Sequence, residues 1–452
     1  NEVVKMKSAN DLTQGVIWKQ LVKYSLPLIA TSVMQSLYSL FDILIAGRFL
    51  GSAGISGINN SSQVLGIVNT VVIGLSMGGT ILIGRLFGQG EKSKMQNASN
   101  TFINSFFIMG IIMSVVLYFV SPMIITLMKT PAYNEAVSYF KVCAIGVFFT
   151  FCYNALSGVM RAVGNSKMPM YCIFVSTTVN IVLDIIFMGV IKLGTAGAAL
   201  ATVIAQGISF FMALGFVLKQ KDMWTSLKIY GNVLGKIIKI GFPCAVQMTV
   251  AGISFIVVTY TINTYGVAAS AGSAISMKLR DIPFLVVSTM SNAASAMIAQ
   301  NLGAGLYERS EKIMYTAMGM TLGITSVLII IMEIFAPYLA GMFTEDTEAI
   351  YYAVLNIRIE VIGQLFYSVF MIQHSLATGA GHTLFVLCNS FVNCIIFRLV
   401  LTIVFNMLFG IVGVFIACAV APSVSIPIGH WYVSTKKWQY GFRKKRIREG
   451  AV

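Results

Sequence analysis

The chain has 452 residues, of which 57% are hydrophobic and only 10% are charged, and its formal net charge is +15. A soluble domain carries about 25% charged residues, and so few charges could not cover a globular surface in water. The composition therefore excludes a soluble enzyme, a disordered protein and a nucleic-acid-binding domain. It indicates a polytopic helical membrane protein.

Twelve apolar runs follow one another along the chain, each long enough to span a bilayer as a helix. The first six predicted helices are 22–46, 55–84, 101–122, 136–160, 168–191 and 195–218. The second six are 237–263, 268–298, 313–337, 351–377, 384–407 and 409–434. The sequence thus predicts an all-α membrane protein with twelve transmembrane helices.

The longest polar stretch inside the chain, residues 219–236, separates these two sets of six. We therefore predict an N-terminal six-helix bundle at 1–218, a cytoplasmic linker at 219–236 and a C-terminal bundle at 237–434. Residues 435–452 form a basic tail, which we place in the cytoplasm.

The two sets are internal repeats with an offset near 215 residues. Pro27 near the start of the first helix matches Pro243 near the start of the seventh, and Gly88-Gln-Gly90 matches Gly303-Ala-Gly305. Each repeat has an even number of helices, so the repeats are parallel. Two parallel pseudo-symmetric bundles, facing each other across a V-shaped cleft, are typical of a transporter.

The distribution of basic residues predicts the orientation in the membrane. Lys and Arg concentrate in the N-terminal segment, in the tail and in the loops after helices 2, 4, 6 and 8. By the positive-inside rule these segments are cytoplasmic. We expect a multi-pass protein of the inner cell membrane with both termini in the cytoplasm.

Two carboxylates of the first half, Asp42 and Asp184, lie well inside predicted helices, where ionisable groups are costly and usually functional. At 1.5 Å per residue, Asp42 lies about 30 Å along the first helix and Asp184 about 24 Å along the fifth, both running outward. Thr202 lies about 10 Å from the outer face on the sixth helix. The three residues therefore reach a similar depth.

Polar neighbours extend this set along the same helix faces. Gln35 and Tyr38 share a face with Asp42, and Asn180 precedes Asp184 by four residues. Carboxylate, amide and hydroxyl oxygens suit a small hard cation, and carboxylates out of water can also carry a proton. A purely structural role, as carboxylates that help pack the helices, is the alternative.

Several segments resemble the multidrug and toxic compound extrusion (MATE) family of the MOP flippase superfamily, and its DinF-like branch in particular. They occur in the order and spacing of that family over nearly the whole chain. The segments are Ser25-Leu-Pro27, Phe41-Asp42-Ile-Leu-Ile-Ala-Gly47, Arg161-Ala-Val-Gly164, Val179-Asn180-Ile-Val-Leu-Asp184, Gly197-Ala-Ala-Leu-Ala-Thr202 and Ala299-Gln300-Asn301-Leu-Gly303.

The resemblance implies a secondary antiporter that exports organic cations or drugs in exchange for Na⁺ or H⁺ by alternating access. It implies an ion-coupling site at Asp42, Asn180, Asp184 and Thr202, which would be the Na⁺ ligands if sodium is the coupling ion. It also implies a hinge at Pro27. The expected partners are a cationic, amphipathic small molecule and membrane lipids but no nucleic acid, and we expect a monomer without a cofactor.

The second half carries charges that a site for cationic drugs alone does not explain. The residues that we assign to the substrate cleft are Gln35, Tyr38, Asn154, Gln247, Lys278, Arg280, Arg358 and Glu360. The charges could form salt bridges with one another, such as Lys278 or Arg280 with Glu360, and Asp281 with Arg358. Alternatively they line a cleft for an anionic or lipid-linked solute, which would make the protein a flippase or exporter of that cargo.

A membrane-embedded enzyme and a channel are two alternatives to a transporter. A membrane-embedded enzyme needs a nucleophile and base or a metal set, and the sequence offers none at useful spacing; we therefore expect no enzyme activity. A channel would conduct without gradient coupling. The seven cysteines all lie in apolar runs, and we interpret them as small buried residues.

Overall fold

The structure, a computed structural model, describes residues 11–128, 132–220 and 222–439, with the side chains at 39, 40, 43, 47, 51–53 and 55 set aside. Helices make up nearly all of this part of the chain, and no strand occurs in it. The predicted basic tail lies outside the described residues beyond Gln439.

The helices agree closely with the predicted apolar runs. Those of the first half are α1 (Ile17–Gly88), α2 (Lys92–Leu127), α3 (Tyr133–Ala162), α4 (Lys167–Asp184) and α5 (Gly194–Lys219). Those of the second half are α6 (Gly231–Asn263), α7 (Val267–Gly303), α8 (Tyr307–Gly341), α9 (Thr347–Gly379), α10 (Thr383–Phe391), α11 (Arg398–Phe409) and α12 (Ile411–Ser434). A π-helical segment, Ile185–Val190, continues α4, and a second one, Val392–Phe397, joins α10 to α11.

Eleven segments within the described residues are long and apolar enough to cross a membrane. The first of them is Ser56–Gly88, the second part of α1. The part of α1 before Ser56 corresponds to the first of the twelve predicted helices. The fold is therefore the all-helical membrane architecture that the apolar runs predict.

The first helix, α1, has two parts, of which the second, Ser56–Gly88, is a membrane span of its own. This agrees with the separate apolar runs predicted at 22–46 and 55–84. The two parts run in opposite directions. Tyr38 contacts Thr202 inside α5, whereas Phe49 lies against Gly189, just before α5 begins. The first part of α1 thus runs toward the connection between α4 and α5.

The second part of α1 runs back from that side. Ser61 donates to the carbonyl of Ala136 at the start of α3, and Thr195 at the start of α5 donates to the carbonyl of Glu135. Further along, a side chain at Gly79 would collide with the Phe102 ring near the start of α2. The chain therefore reverses direction between Phe49 and Ser61.

The chain forms two compact units. One contains Leu26–Ala245, and the other contains Leu12–Ser25 and the chain from Val246 onward. Helix α1 therefore begins in one unit and continues in the other, and so does α6. Pro27 in α1 and Pro243 in α6 each lie within three residues of the point where the helix passes from unit to unit.

Glycines allow backbone-to-backbone packing inside the first unit, where α6 lies against the second part of α1. A side chain at Gly74 would meet the backbone of Ala245, one at Gly78 would meet the Ile237 carbonyl, and one at Gly241 would meet the Leu75 carbonyl. Small residues four positions apart are typical of tight helix contacts in membranes, where packing rather than water exclusion holds helices together.

The polar segment after α5 is docked on α2. The side chain of Asn100 bonds the backbone and hydroxyl of Thr225, at 2.8 and 3.0 Å, and Asn104 accepts a hydrogen bond from the Trp224 indole at 3.1 Å. Lys92 pairs with Asp222 at 2.7 Å. This segment, expected to be a linker, is thus held as part of the first unit.

Six of the seven cysteines are buried and Cys388 is exposed, so the expectation of burial is wrong for that residue. The two units also expose many large apolar side chains on outer helix faces, such as Ile111, Ile112 and Val115 of α2. Such faces are stable only against lipid.

Candidate functional site

Helices α1, α4 and α5 of the first unit bring together the residues predicted to couple an ion. Asp42 of α1, Asn180 and Asp184 of α4, and Thr202 of α5 are all buried. The spacing of four between Asn180 and Asp184 places both on the face of α4 that packs on α5. The helix packing therefore collects polar groups that are far apart in the sequence.

Hydrogen bonds tie this group to all three helices. The hydroxyls of Tyr38 and Thr202 are 2.9 Å apart. With its amide nitrogen facing Asp184, Asn180 donates to Asp184 Oδ2 at 3.0 Å and accepts from the backbone N–H of Thr202 at 3.3 Å. Thr202 therefore connects α1 to α4 through both its side chain and its backbone.

One oxygen of each carboxylate has no partner. Within the described residues, Oδ1 of Asp42 and Oδ1 of Asp184 are buried without a hydrogen bond. The two carboxylates also lie close enough to interact electrostatically. Two buried negative charges without a compensating cation are costly, so the site favours the binding of a small cation or a proton.

The donor set fits a hard cation. Two carboxylates, an amide oxygen and two hydroxyls are oxygen ligands of the kind that Na⁺ or Ca²⁺ take. The two unpaired carboxylate oxygens are the atoms that a cation would neutralise. The same atoms can accept a proton, so the geometry alone fits either ion.

Two residues of α3 border this site and were missed by the sequence analysis. Tyr139 and Cys143 are buried, and both interact electrostatically with Asp42. They lie four residues apart on one face. That spacing is present in the sequence, but an apolar helix offers many such pairs, and nothing distinguished this one.

The predicted hinge at Pro27 is followed by two residues whose side chains bond to the helix backbone. Pro27 has no N–H to donate within α1, and the hydroxyls of Thr31 and Ser32 donate to the carbonyls of Pro27 and Leu28, at 2.8 and 3.1 Å. Such side-chain bonds to the carbonyl four residues earlier often bend helices. Residues 27–32 are therefore the part of α1 most suited to bending.

The residues assigned to the substrate cleft have varied surroundings. Gln35 is exposed on α1, whereas Asn154 and Gln247 are half-buried. Asn154 donates to the carbonyl of Thr150 in its own helix at 2.8 Å. In the second unit Lys278 is exposed.

The expected salt bridges are partly confirmed. Arg280 pairs with the buried Glu360. The expected pairing of Arg358 with Asp281 is wrong, because Arg358 Nε lies 3.9 Å from Glu333 instead. Arg358 and Asp281 are both exposed, and Asp281 interacts electrostatically with Lys278 and Arg280 of its own helix.

The MatE family model matches this chain twice, at residues 27–186 and 243–408. Together these matches cover well over half of the chain, and they confirm the internal repeat. The chain belongs to the MatE family. It is thus a membrane transporter and not an enzyme.

Curated relatives of this MatE protein match along almost their whole length. The probable multidrug resistance protein YpnP of Bacillus subtilis is 27% identical over 90% of this chain and 92% of its own. The multidrug export protein MepA of Staphylococcus haemolyticus is 24% identical over 91% and 92%.

Solved structures share the fold. An outward-facing multidrug resistance MATE family transporter of the MOP superfamily superposes with a TM-score of 0.91 at 19% identity, covering 97% of this chain and all of that one. The bent form of the Vibrio cholerae transporter VcmN gives a TM-score of 0.86 at 22% identity, covering 95% and 98%.

Proposed function

We propose that this protein is a secondary active antiporter that exports organic cations or drugs in exchange for Na⁺ or H⁺ by alternating access. The observation that carries the proposal is the pair of buried carboxylates, Asp42 and Asp184, each with an oxygen lacking a hydrogen bond. The names of the relatives, which describe multidrug export and resistance, support the cargo class.

The coupling ion would act through the helices that meet at Thr202. An ion bound by Asp42, Asn180, Asp184 and Thr202 would join α1 to α4 and α5. A ligand shifts a conformational equilibrium only by its different affinity for the two states. The ion would therefore favour the conformation of α1 that brings Asp42 to the other ligands, and the bend would form at residues 27–32.

The proposal includes the setting of the protein. We place it in the inner cell membrane as a monomer, with both termini in the cytoplasm, because basic residues concentrate in the segments on that side. The ion site in the first half also supports its assignment to the DinF-like branch.

An anionic or lipid-linked cargo is the second candidate function. It is favoured by two arginines of the second unit, the partly buried Arg280 and the buried Arg398, which both interact electrostatically with one buried carboxylate, Glu360. Such a site would attract negative groups and repel cationic drugs.

Transport in proteoliposomes tests the proposal. A lipophilic fluorescent cation is loaded, and a Na⁺ gradient and a pH gradient are imposed separately. We expect one of the gradients to drive transport of the dye, and Asp42→Asn and Asp184→Asn each to reduce this transport at least 10-fold. The variant Asp281→Asn, which changes an exposed carboxylate, should transport normally.

Two results would contradict the proposal. Normal gradient-driven transport by both Asn variants would remove the ion site from the first unit. Failure of the folded wild-type protein to move the dye under either gradient, with transport of an anionic amphiphile instead, would favour the second candidate.

A further inference from the structure

A group of buried charges in the second unit is left out of the coupling mechanism. It comprises Arg280 of α7, Glu360 of α9 and Arg398 of α11. Both guanidinium groups lie on the ring of Phe255, with distances to the ring centroid of 5.1 Å for Arg280 and 4.4 Å for Arg398. These three residues hold two positive charges and one negative charge, and the exposed Asp281 of α7 also interacts electrostatically with Arg280.

The carboxylate of this group is already satisfied. Glu360 pairs with Arg280 and also contacts the thiol of Cys418. Arg398 is only 5% exposed, and within the described residues its Nε and Nη1 have no hydrogen-bond partner. The remaining titratable groups that face it, Cys394 and Tyr367, are ordinarily neutral.

The π-helical segment places more unpaired donors on the side of Arg398. In an α-helix five residues turn the chain by about 140° away from the starting face, whereas in a π-helix, with about 4.4 residues per turn, they leave it within about 50° of that face. The segment Val392–Phe397 thus brings Asn393 closer to the face of Arg398, and Thr402 follows one α-helical turn later. In the part of the chain that the structure describes, neither amide atom of Asn393 nor the hydroxyl of Thr402 has a partner, and both residues are at most 2% exposed.

The internal repeat gives this cluster a counterpart in the first unit. The pair Val392-Asn393 corresponds to Val179-Asn180, and Cys418 corresponds to Thr202. In the first unit the residue one turn after the asparagine is Asp184, and in the second unit the π-helical segment leads to Arg398. The second unit therefore has a related polar arrangement with the opposite charge.

We propose that Arg398, Asn393 and Thr402 form a binding site for a single anionic group, either a free halide ion or the carboxylate of an organic solute. A guanidinium, an amide N–H and a hydroxyl all donate to an anion, and charge-assisted bonds of this kind are the strong ones. Water could satisfy the donors but would leave two guanidinium groups sharing the one buried carboxylate of Glu360. This inference goes beyond ion-coupled export, and its test measures binding rather than transport.

Thermal stability under anion exchange tests the site. The full-length protein, in nanodiscs of zwitterionic lipid, is melted while sodium gluconate is replaced by sodium chloride or by sodium acetate at constant sodium. We expect the melting temperature to rise to saturation with at least one of the two anions, because ligands that bind the folded state stabilise it. A response to chloride alone identifies a halide site, and a response to acetate identifies a carboxylate site.

Variants assign the response to these residues. We expect Arg398→Gln to abolish the rise and Arg398→Lys, which keeps the charge but loses the fork of donors, to raise the midpoint concentration about 10-fold. Thr402→Val keeps the charge and removes one donor, so the midpoint should rise about 3- to 10-fold even if the arginine variants fail to fold. Arg48→Gln, at an exposed arginine, is the control and should match the wild type.

The proposal is overturned if the wild-type protein shows no saturable response to either anion. It is equally overturned if folded Arg398→Gln or Thr402→Val responds with the wild-type midpoint. Because none of these residues belongs to the site at Asp42 and Asp184, failure here would leave the proposed antiport intact.

Discussion

The hydroxyl groups of Tyr38 on α1 and Thr202 on α5 lie 2.9 Å apart. This bond joins the helix that carries the proposed hinge to the helix whose backbone holds Asn180. It positions Tyr38 beside the carboxylates without making it a carrier of charge. The bond therefore offers a way to weaken ion binding while both carboxylates stay in place.

Replacing Tyr38 with Phe should weaken ion binding without abolishing it. The ring remains, but the bond to Thr202 is lost, and a hydrogen bond of this kind contributes about 0.5–1.5 kcal/mol. We expect the apparent affinity for the coupling ion to fall about 3- to 10-fold with little change in maximal transport rate. Tyr260→Phe, at an exposed tyrosine, is the matched control, and equal affinities in the two variants would contradict the role of Tyr38.

Replacing Pro27 with Ala should separate ion binding from turnover. The variant restores an N–H that can donate inside α1, and a proline in a helix interior costs roughly 3 kcal/mol. We expect a higher melting temperature, ion binding that is retained with an affinity shifted by the changed conformational equilibrium, and a transport rate at least several-fold lower. Stopped-flow transport and ion titration measure the two quantities.

Pro122 of α2 provides the control for the hinge. Thr126 donates to the carbonyl of Pro122 at 2.8 Å, as Thr31 does to Pro27. Pro122→Ala should raise stability in the same way and leave transport unchanged. Loss of transport in both variants would show that helix stiffness in general, rather than a bend in α1, limits the rate.

Replacing Gly78 with Ala should destabilise the first unit. The new methyl group would collide with the carbonyl of Ile237 and the backbone of Gly241, and overpacking of this kind costs about 1–3 kcal/mol. Gly215→Ala is the control, because nothing lies within 4 Å of the added atom; it should be neutral or slightly stabilising. Melting temperatures in detergent compare the two, and equal values would contradict the tight contact.

Replacing Arg280 with Gln should cost far more stability than replacing Arg358 with Gln. Arg280 pairs with a buried carboxylate, and removing one partner of a buried pair costs about 3–5 kcal/mol. Arg398 remains near Glu360, so we expect the lower end of that range. Arg358 is half-exposed and 3.9 Å from Glu333, and such a pair contributes less than about 1 kcal/mol.

A loss of stability in Arg280→Gln could come from the unpaired carboxylate of Glu360 or from lost packing of the arginine side chain. A second substitution distinguishes these two causes. If the cost comes from an unpaired carboxylate, the double variant Arg280→Gln with Glu360→Gln should recover most of it. Reversible denaturation monitored by fluorescence measures the free energy of unfolding. A double variant as unstable as Arg280→Gln alone would mean that the arginine side chain acts through packing.

Hydropathy predicted the helices because the thickness of the bilayer sets the length of each apolar run. The run predicted at 268–298 is α7, Val267–Gly303. Hydropathy missed the polar turns at the ends of helices. Helix α2, for example, starts at Lys92, whereas its apolar run starts near residue 101. The reversal of α1 between Phe49 and Ser61 spans the predicted gap between the runs 22–46 and 55–84, so hydropathy located it.

The candidate site could be predicted from the sequence where helix geometry alone determines which residues lie on one face or at one depth. The spacing of Asn180 and Asp184 and the similar depth of Thr202 predicted that these residues meet. The π-helical segments were missed. The pairing of Arg358 with Glu333 depends on how α9 packs on α8, which the spacing within one helix does not encode. The docking of residues 222–230 on α2 was missed for the same reason.

The assignment of Leu12–Ser25 to the second unit and of the start of α6 to the first constrains the order of biogenesis. The first unit is incomplete until Ala245 has been synthesised, so fragments divided within the polar segment 219–236 would each lack part of a unit. The second unit needs Leu12–Ser25, which are synthesised before every residue of either unit that lies beyond Ser25. The nascent chain must therefore keep Leu12–Ser25 available until the helices beyond Val246 have entered the membrane.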